Sequence, residues 1–235
     1  MNYQIISEIL NWSKKTAEGT FTTAKKLVVE ANDYNFNMIF FQGGADESTK
    51  NNFTEVAKVQ MSQTVLRNFT KGLLNGFLTK LRGNTFRKST DELKDEVFFD
   101  GRQTIKNDND LYVIRLIGGF KVTNGRRIRH TVLKLYKFAT WAEIAEIRET
   151  KKYNEDKCLF TAHLSTNSVV EDCFSPEDRI CMESFYDTFT SILCGYNAAY
   201  YGFIQQVAAQ RAENKNSQAG GAGTVAVEES SDFEF

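Results

Sequence analysis

Residues 110–138 read DLYVIRLIGGFKVTNGRRIRHTVLKLYKF. Two runs rich in β-branched and aromatic residues flank Asn124-Gly125. That dipeptide favours a two-residue type I′ turn, because both central positions need positive φ. The turn sets a register: Thr123 faces Arg126, Lys121 faces Ile128, Gly119 faces His130 and Arg115 faces Lys134. Side chains alternate across a strand. One face therefore carries Tyr112, Ile114, Leu116, Phe120, Val122, Leu133 and Leu135, and reads as a core face. Arg127 and Arg129 join it only near the tip. The other face carries Arg115, Lys121, Arg126, His130, Lys134 and Tyr136, interrupted by Val113, Ile117, Ile128 and Val132. Gly118-Gly119 marks a bend or bulge.

Around this ribbon the expected fold class is α+β. It has a helical N-terminal half, a central antiparallel β region with the long basic hairpin, and a long C-terminal helix. The expected division is one domain over 1–212 and a flexible acidic tail over 213–235. Ile5, Ile6, Ile9 and Leu10 share a helical face, and Thr22 to Asn32 is expected as a second helix. FNMIFFQGG is a strand or a helix end, and periodicity does not decide which. Residues 62–82 form an amphipathic helix, with Val65, Leu66, Phe69, Leu73, Leu74, Phe77, Leu78 and Leu81 at three- and four-residue steps. Gly72 and Gly76 within it each cost about 1 kcal/mol relative to alanine and permit a close neighbour. EVFFDGRQTI predicts a hairpin around Asp100-Gly101. Thr140-Trp-Ala-Glu143 is a capping box opening a helix over 141–151, and residues 157–164 read as a strand. Ser175-Pro176-Glu177-Asp178 starts a helix that should reach about residue 212. Along it Met182, Phe185, Phe189, Ile192, Tyr196, Ala199 and Phe203 form a 3-4 seam. The seam serves either the chain's own core or a homo-oligomer.

The net charge of −1 hides an uneven distribution. Residues 58–137 hold 17 Lys and Arg against 7 Asp and Glu, whereas residues 171–235 hold 3 against 11. A basic middle calls for an anionic partner. The basic hairpin supplies Arg115, Lys121, Arg126, Arg127, Arg129, Lys134 and Lys137 for phosphates, and Tyr112, Phe120 and Tyr136 as faces for unpaired bases. LRGNTFRKST adds a second basic-aromatic loop through Arg82, Phe86, Arg87 and Lys88. Charged hairpin edges also block aggregation, which is the plainer role for such residues.

Catalytic signals are scarce. The chain has no GxxxxGK loop, no HExxH and no GxSxG. His130 and His163 sit in no triad context. Asp91, Glu92, Asp95, Glu96 and Asp100 read as a solvated acidic face rather than a nuclease metal site. Cys158, Cys173, Cys181 and Cys194 lack CxxC spacing and read as reduced thiols. No enzyme, cofactor, metal or membrane span is expected, and the N-terminus does not read as a signal peptide.

The end of the chain, ESSDFEF, lies beyond a glycine-containing stretch and alternates acids with phenylalanines. It resembles the acidic, phenylalanine-terminated tails of single-stranded-DNA-binding proteins of bacteria and their phages. The matching residues are Glu228, Glu229, Asp232, Phe233, Glu234 and Phe235. The likeness covers about the last eight residues and lacks the proline that precedes the final phenylalanine in the bacterial tail. The body does not spell the family's five-stranded OB barrel. In size and organisation the whole chain resembles the Drc-type single-stranded-DNA-binding RNA polymerase cofactors of podovirus-type phages. The resemblance implies binding of unwound promoter DNA in the cytoplasm of an infected bacterial host. It also implies a partner, phage RNA polymerase or a replication protein, docked through Asp232, Phe233, Glu234 and Phe235. Rival readings are a virion or scaffold protein that oligomerises through the 182–203 seam, and a single-strand annealing recombination protein.

Overall fold

The computed structural model describes residues 6–8, 25–31, 35–44, 48–49, 52–84, 94–123, 125–163 and 176–219. At 6–8, 84, 123, 126–130, 163, 176–181 and 215–219 it describes the backbone alone. The fold is α+β, with two four-stranded antiparallel sheets and a long C-terminal helix.

The first sheet is the meander β1 (Ile6–Glu8), β2 (Lys25–Ala31), β3 (Phe36–Gln42) and β4 (Thr54–Met61). Both expected N-terminal helices are therefore corrected where described: Ile6–Glu8 and Lys25–Ala31 are strands. The alternation is visible in burial. Leu27, Val29 and Ala31 of β2, Phe36, Met38 and Phe40 of β3, and Ala57, Val59 and Met61 of β4 all face one core. Lysine and glutamate at the ends of β2 favour helix weakly, and seven ladder pairs with β3 override that preference.

Ser62 then caps a helix by accepting from the Val65 N–H. The helix runs through α1 (Gln63–Asn68), a π-helical turn (Phe69–Leu74) and α2 (Asn75–Asn84). Its expected apolar stripe is the one buried, except that Val65 is only partly so. Gly72 and Gly76 are not the close contacts expected of them: a Cβ at Gly72 would meet nothing within 4 Å and one at Gly76 would touch Phe99 at an ordinary 3.6 Å.

The second sheet is the meander β5 (Glu96–Asn107), β6 (Asp110–Thr123), β7 (Arg126–Phe138) and β8 (Cys158–His163). β5 is one strand, so the hairpin expected at Asp100-Gly101 does not exist. Gly101 provides space instead: a Cβ there would stand 2.5 Å from Leu73 and Phe99. The β6–β7 register is the expected one at every rung from Leu111↔Phe138 to Thr123↔Arg126. The irregularity marked by Gly118-Gly119 is a register shift in the facing strand, between Val97 and Phe99.

After β7, Thr140 and Glu143 form the expected capping box and open α3 (Trp141–Thr150). α4 (Pro176–Ala219) continues past residue 212. The main core joins both sheets, α1–α2 and the first half of α4: Phe40 of β3 meets Phe160 of β8 with centroids 5.1 Å apart, and Phe189 of α4 meets Phe69 at 4.9 Å. Met182, Phe185, Phe189, Ile192 and Tyr196 lie in this core, so that part of the seam is intramolecular. The chain divides into two compact units, 1–196 and 197–235.

Candidate nucleic-acid interface

The β6–β7 ribbon has a covered base and a tip that outlasts its neighbours. At the base, Leu111, Val113, Tyr136 and Phe138 pack under Ile144 and Ile147 of α3 in a second, smaller core. The opposite face, with Ile114, Leu116, Leu133 and Leu135, closes on the main core. Among the described residues both flanking strands stop short of the tip. β5 pairs as far as Glu96↔Phe120, and β8 as far as His163↔Val132. The rungs Lys121↔Ile128, Val122↔Arg127 and Thr123↔Arg126 lie beyond both. Asp95, just before β5, accepts from the Val122 N–H at 2.6 Å and fastens the edge where β5 ends.

The sequence-predicted cations separate along this axis. Arg115 Nε and Nη2 each donate to Asp100 at 2.8 Å, and the guanidinium lies 4.0 Å over the Tyr153 ring. Burial works to lower the Arg115 pKa, but the Asp100 carboxylate outweighs it and the net shift is upward. Lys134 Nζ sits 2.7 Å from Glu155, which its hydrogen bond holds below the usual carboxylate range. Lys137 pairs with Asp110 at 2.7 Å, which raises its pKa. Each of these three is paired with an acid in the described chain. Lys121 is exposed. Arg126, Arg127 and Arg129 occupy the tip rungs, where the backbone alone is described.

The aromatic candidates separate in the same way. Tyr136 is fully buried, donates to Glu155 at 3.0 Å and lies 4.8 Å from the Tyr153 ring. Burial, then the Glu155 contact, pushes its pKa up. Tyr112 is buried in the main core under Lys137, whose ammonium is 6.0 Å from its ring. Both rings are buried. Phe120 is half-buried, at the rung shared with Arg129. Arg82 pairs with Glu183 of α4 at 3.0 Å. Phe86, Arg87, Lys88, Asp232, Phe233, Glu234 and Phe235 lie outside the described residues.

One feature carried no sequence signal. A cleft of about 460 Å³ opens between the π-helical turn and β5, lined by Asn68, Gly72, Leu73, Phe99, Gly101, Arg102 and Gln103. It offers an aromatic face, two amides and an exposed guanidinium, and no carboxylate lines it. Its Gly101↔Leu116 rung lies six residues, roughly 20 Å, along the sheet from Val122↔Arg127.

Among the described residues no helix is long and apolar enough to cross a membrane, and no group of three or more His, Cys, Asp and Glu is placed to hold a metal ion. Cys158 and Cys194 are free thiols. Compared with known proteins, the chain matches no protein-family model and no curated protein sequence.

Proposed function

We propose that this chain is a non-catalytic single-stranded-DNA-binding protein of a phage. It acts in the cytoplasm of the infected bacterium, in replication or as a transcription cofactor on unwound promoter DNA. The observation that carries the reading is the ribbon tip. Residues 111–138 contain seven Lys and Arg and no acid. Acids within or outside the ribbon pair with Arg115, Lys134 and Lys137 at its base, while Lys121, Arg126, Arg127 and Arg129 share the rungs nearest the turn. A two-stranded cationic ribbon that outlasts its sheet is suited to follow a flexible phosphate chain, and Phe120 supports the lowest of those rungs.

In this reading the cleft at Arg102 is a second contact on the same sheet. A base rests against Phe99, the amides of Asn68 and Gln103 meet its edge, and Arg102 takes the adjoining phosphate. The acidic tail, Asp232 to Phe235, is the segment offered to a replication protein or RNA polymerase.

The test is a fluorescence titration of a single-stranded oligonucleotide with a variant in which Arg126, Arg127 and Arg129 are all changed to Glu. Affinity should fall at least about 100-fold, or roughly 2.8 kcal/mol. The slope of log K against log salt should flatten by about 2, since each lost phosphate contact removes about 0.7. The tip lies outside both cores, so the melting temperature should hold. Unchanged affinity and slope would remove the basis of this proposal.

A further inference from the structure

Along α4 the apolar stripe does not stop where the core stops. Beyond Tyr196, the last of its residues in the core, Tyr200, Phe203, Ile204 and Val207 continue at three- and four-residue spacing, with Tyr201 beside them. Tyr200 is 37% exposed, Tyr201 65%, Phe203 40% and Ile204 44%. An aromatic side chain buries about 150–250 Å² when fully covered, so the four leave on the order of 350 Å² of mainly apolar surface in water. That is about as large a patch as an isolated soluble chain ordinarily shows. The stretch is helical to Ala219.

We infer that Tyr200–Val207 is a self-association surface, on which the same segment of a second copy packs in a two-fold pair. Two properties select that occupant. The chain carries no charged residue across the 23 positions from Thr188 to Gln210. Two identical helices therefore meet without like-charge repulsion. For the same reason the stripe has no cation for a phosphate chain or an anionic membrane surface, and no acid for a basic partner. Two such patches, with their polar flanks, together remove on the order of 1,000 Å² or more, where specific interfaces begin. Isologous pairing suits one patch used by both partners.

Sedimentation equilibrium of the full chain over a wide concentration range tests this. The expected result is a monomer–dimer equilibrium. It should be abolished in Phe203→Glu/Ile204→Glu and kept in Ala209→Glu, which adds a charge on the opposite side of the helix. The double variant should keep the unfolding midpoint of the body, because neither residue belongs to the core. A parent that is monomeric throughout overturns the inference, as does a double variant that still dimerises or a parent that forms larger assemblies only. A monomeric parent whose midpoint falls in the double variant would instead place another segment of the same chain on the stripe. Per-protomer affinity for single-stranded DNA is read in the same variants. The surface can therefore fail while the DNA-binding reading stands, and the reverse.

Discussion

Both ends of the β6–β7 ribbon carry cations, but their compositions and surroundings differ. At the base, cations alternate with aromatics, and each described cation meets an acid: Arg115 with Asp100, Lys134 with Glu155, Lys137 with Asp110. There α3 covers one face and the main core the other. At the tip, among the described residues, the rungs Lys121↔Ile128, Val122↔Arg127 and Thr123↔Arg126 lie beyond the pairing of both flanking strands. The described cations of the base fasten neighbouring elements to the ribbon.

The strongest way to break this contrast is to treat a base residue as if it belonged to the interface. Tyr136→Ala removes a fully buried ring from between Phe138 and Tyr153 and should destabilise the protein by about 3–4 kcal/mol in a denaturant titration. Tyr136→Phe keeps the ring and loses the hydrogen bond to Glu155, costing about 1 kcal/mol. Both variants, measured where they are folded, should bind single-stranded DNA as the parent does. A Tyr136→Phe variant of parental stability but weakened DNA binding would return the tyrosine to the interface.

A smaller effect sharpens the comparison at its cation. Arg115→Ala leaves Asp100 without its bidentate partner and Tyr153 without its guanidinium. The loss should be about 2 kcal/mol of stability, the range for a well-shielded hydrogen bond to a charged group, with Arg115 only 15% exposed. The salt dependence of DNA binding should stay parental. If its slope instead flattens by about 0.7, Arg115 is a phosphate contact and the division between base and tip is misplaced.

The contrast also explains what was legible in the sequence. The ribbon register was, because Asn124-Gly125 is a local signal and the alternation on either side depends on nothing distant. The capping box at Thr140 and the stripe over 62–82 are local in the same sense. The fate of the basic residues was not legible. Asp100 lies 15 positions from Arg115 and Glu155 lies 21 from Lys134, and only the folded sheet brings them together. Lys25–Ala31 misleads for a related reason: its weak helical preference yields to pairing with Phe36–Gln42. Gly101 looked like a turn because glycine's two uses, positive φ and close approach, are identical in sequence. The cleft at Arg102 joins residues from α1, the π-helical turn and β5, and had no motif to announce it.

The smallest expected effect lies where α3 is fastened over the base. Glu143 accepts from the backbone N–H groups of Ala139 and Thr140 at 2.9 and 3.0 Å and pairs with Lys157 at 2.7 Å. The Lys157 contact first, then those two backbone donors, lower its pKa from 4.5 to about 2. A carboxylate depressed in the folded state stabilises it fully above the unfolded pKa and loses that contribution as pH falls through the folded one. Glu143→Gln should therefore melt below the parent at neutral pH. The gap should hold down to about pH 4.5 and then close as pH approaches 2. Subtracting the variant's profile from the parent's removes the other carboxylates, which titrate alike in both. DNA affinity should not move at neutral pH, because the capped helix covers the base and leaves the tip rungs untouched. A gap that persists unchanged to pH 2 would mean that the side chain acts through packing rather than charge. A loss of affinity without a loss of stability would mean that α3, and with it the base, takes part in binding.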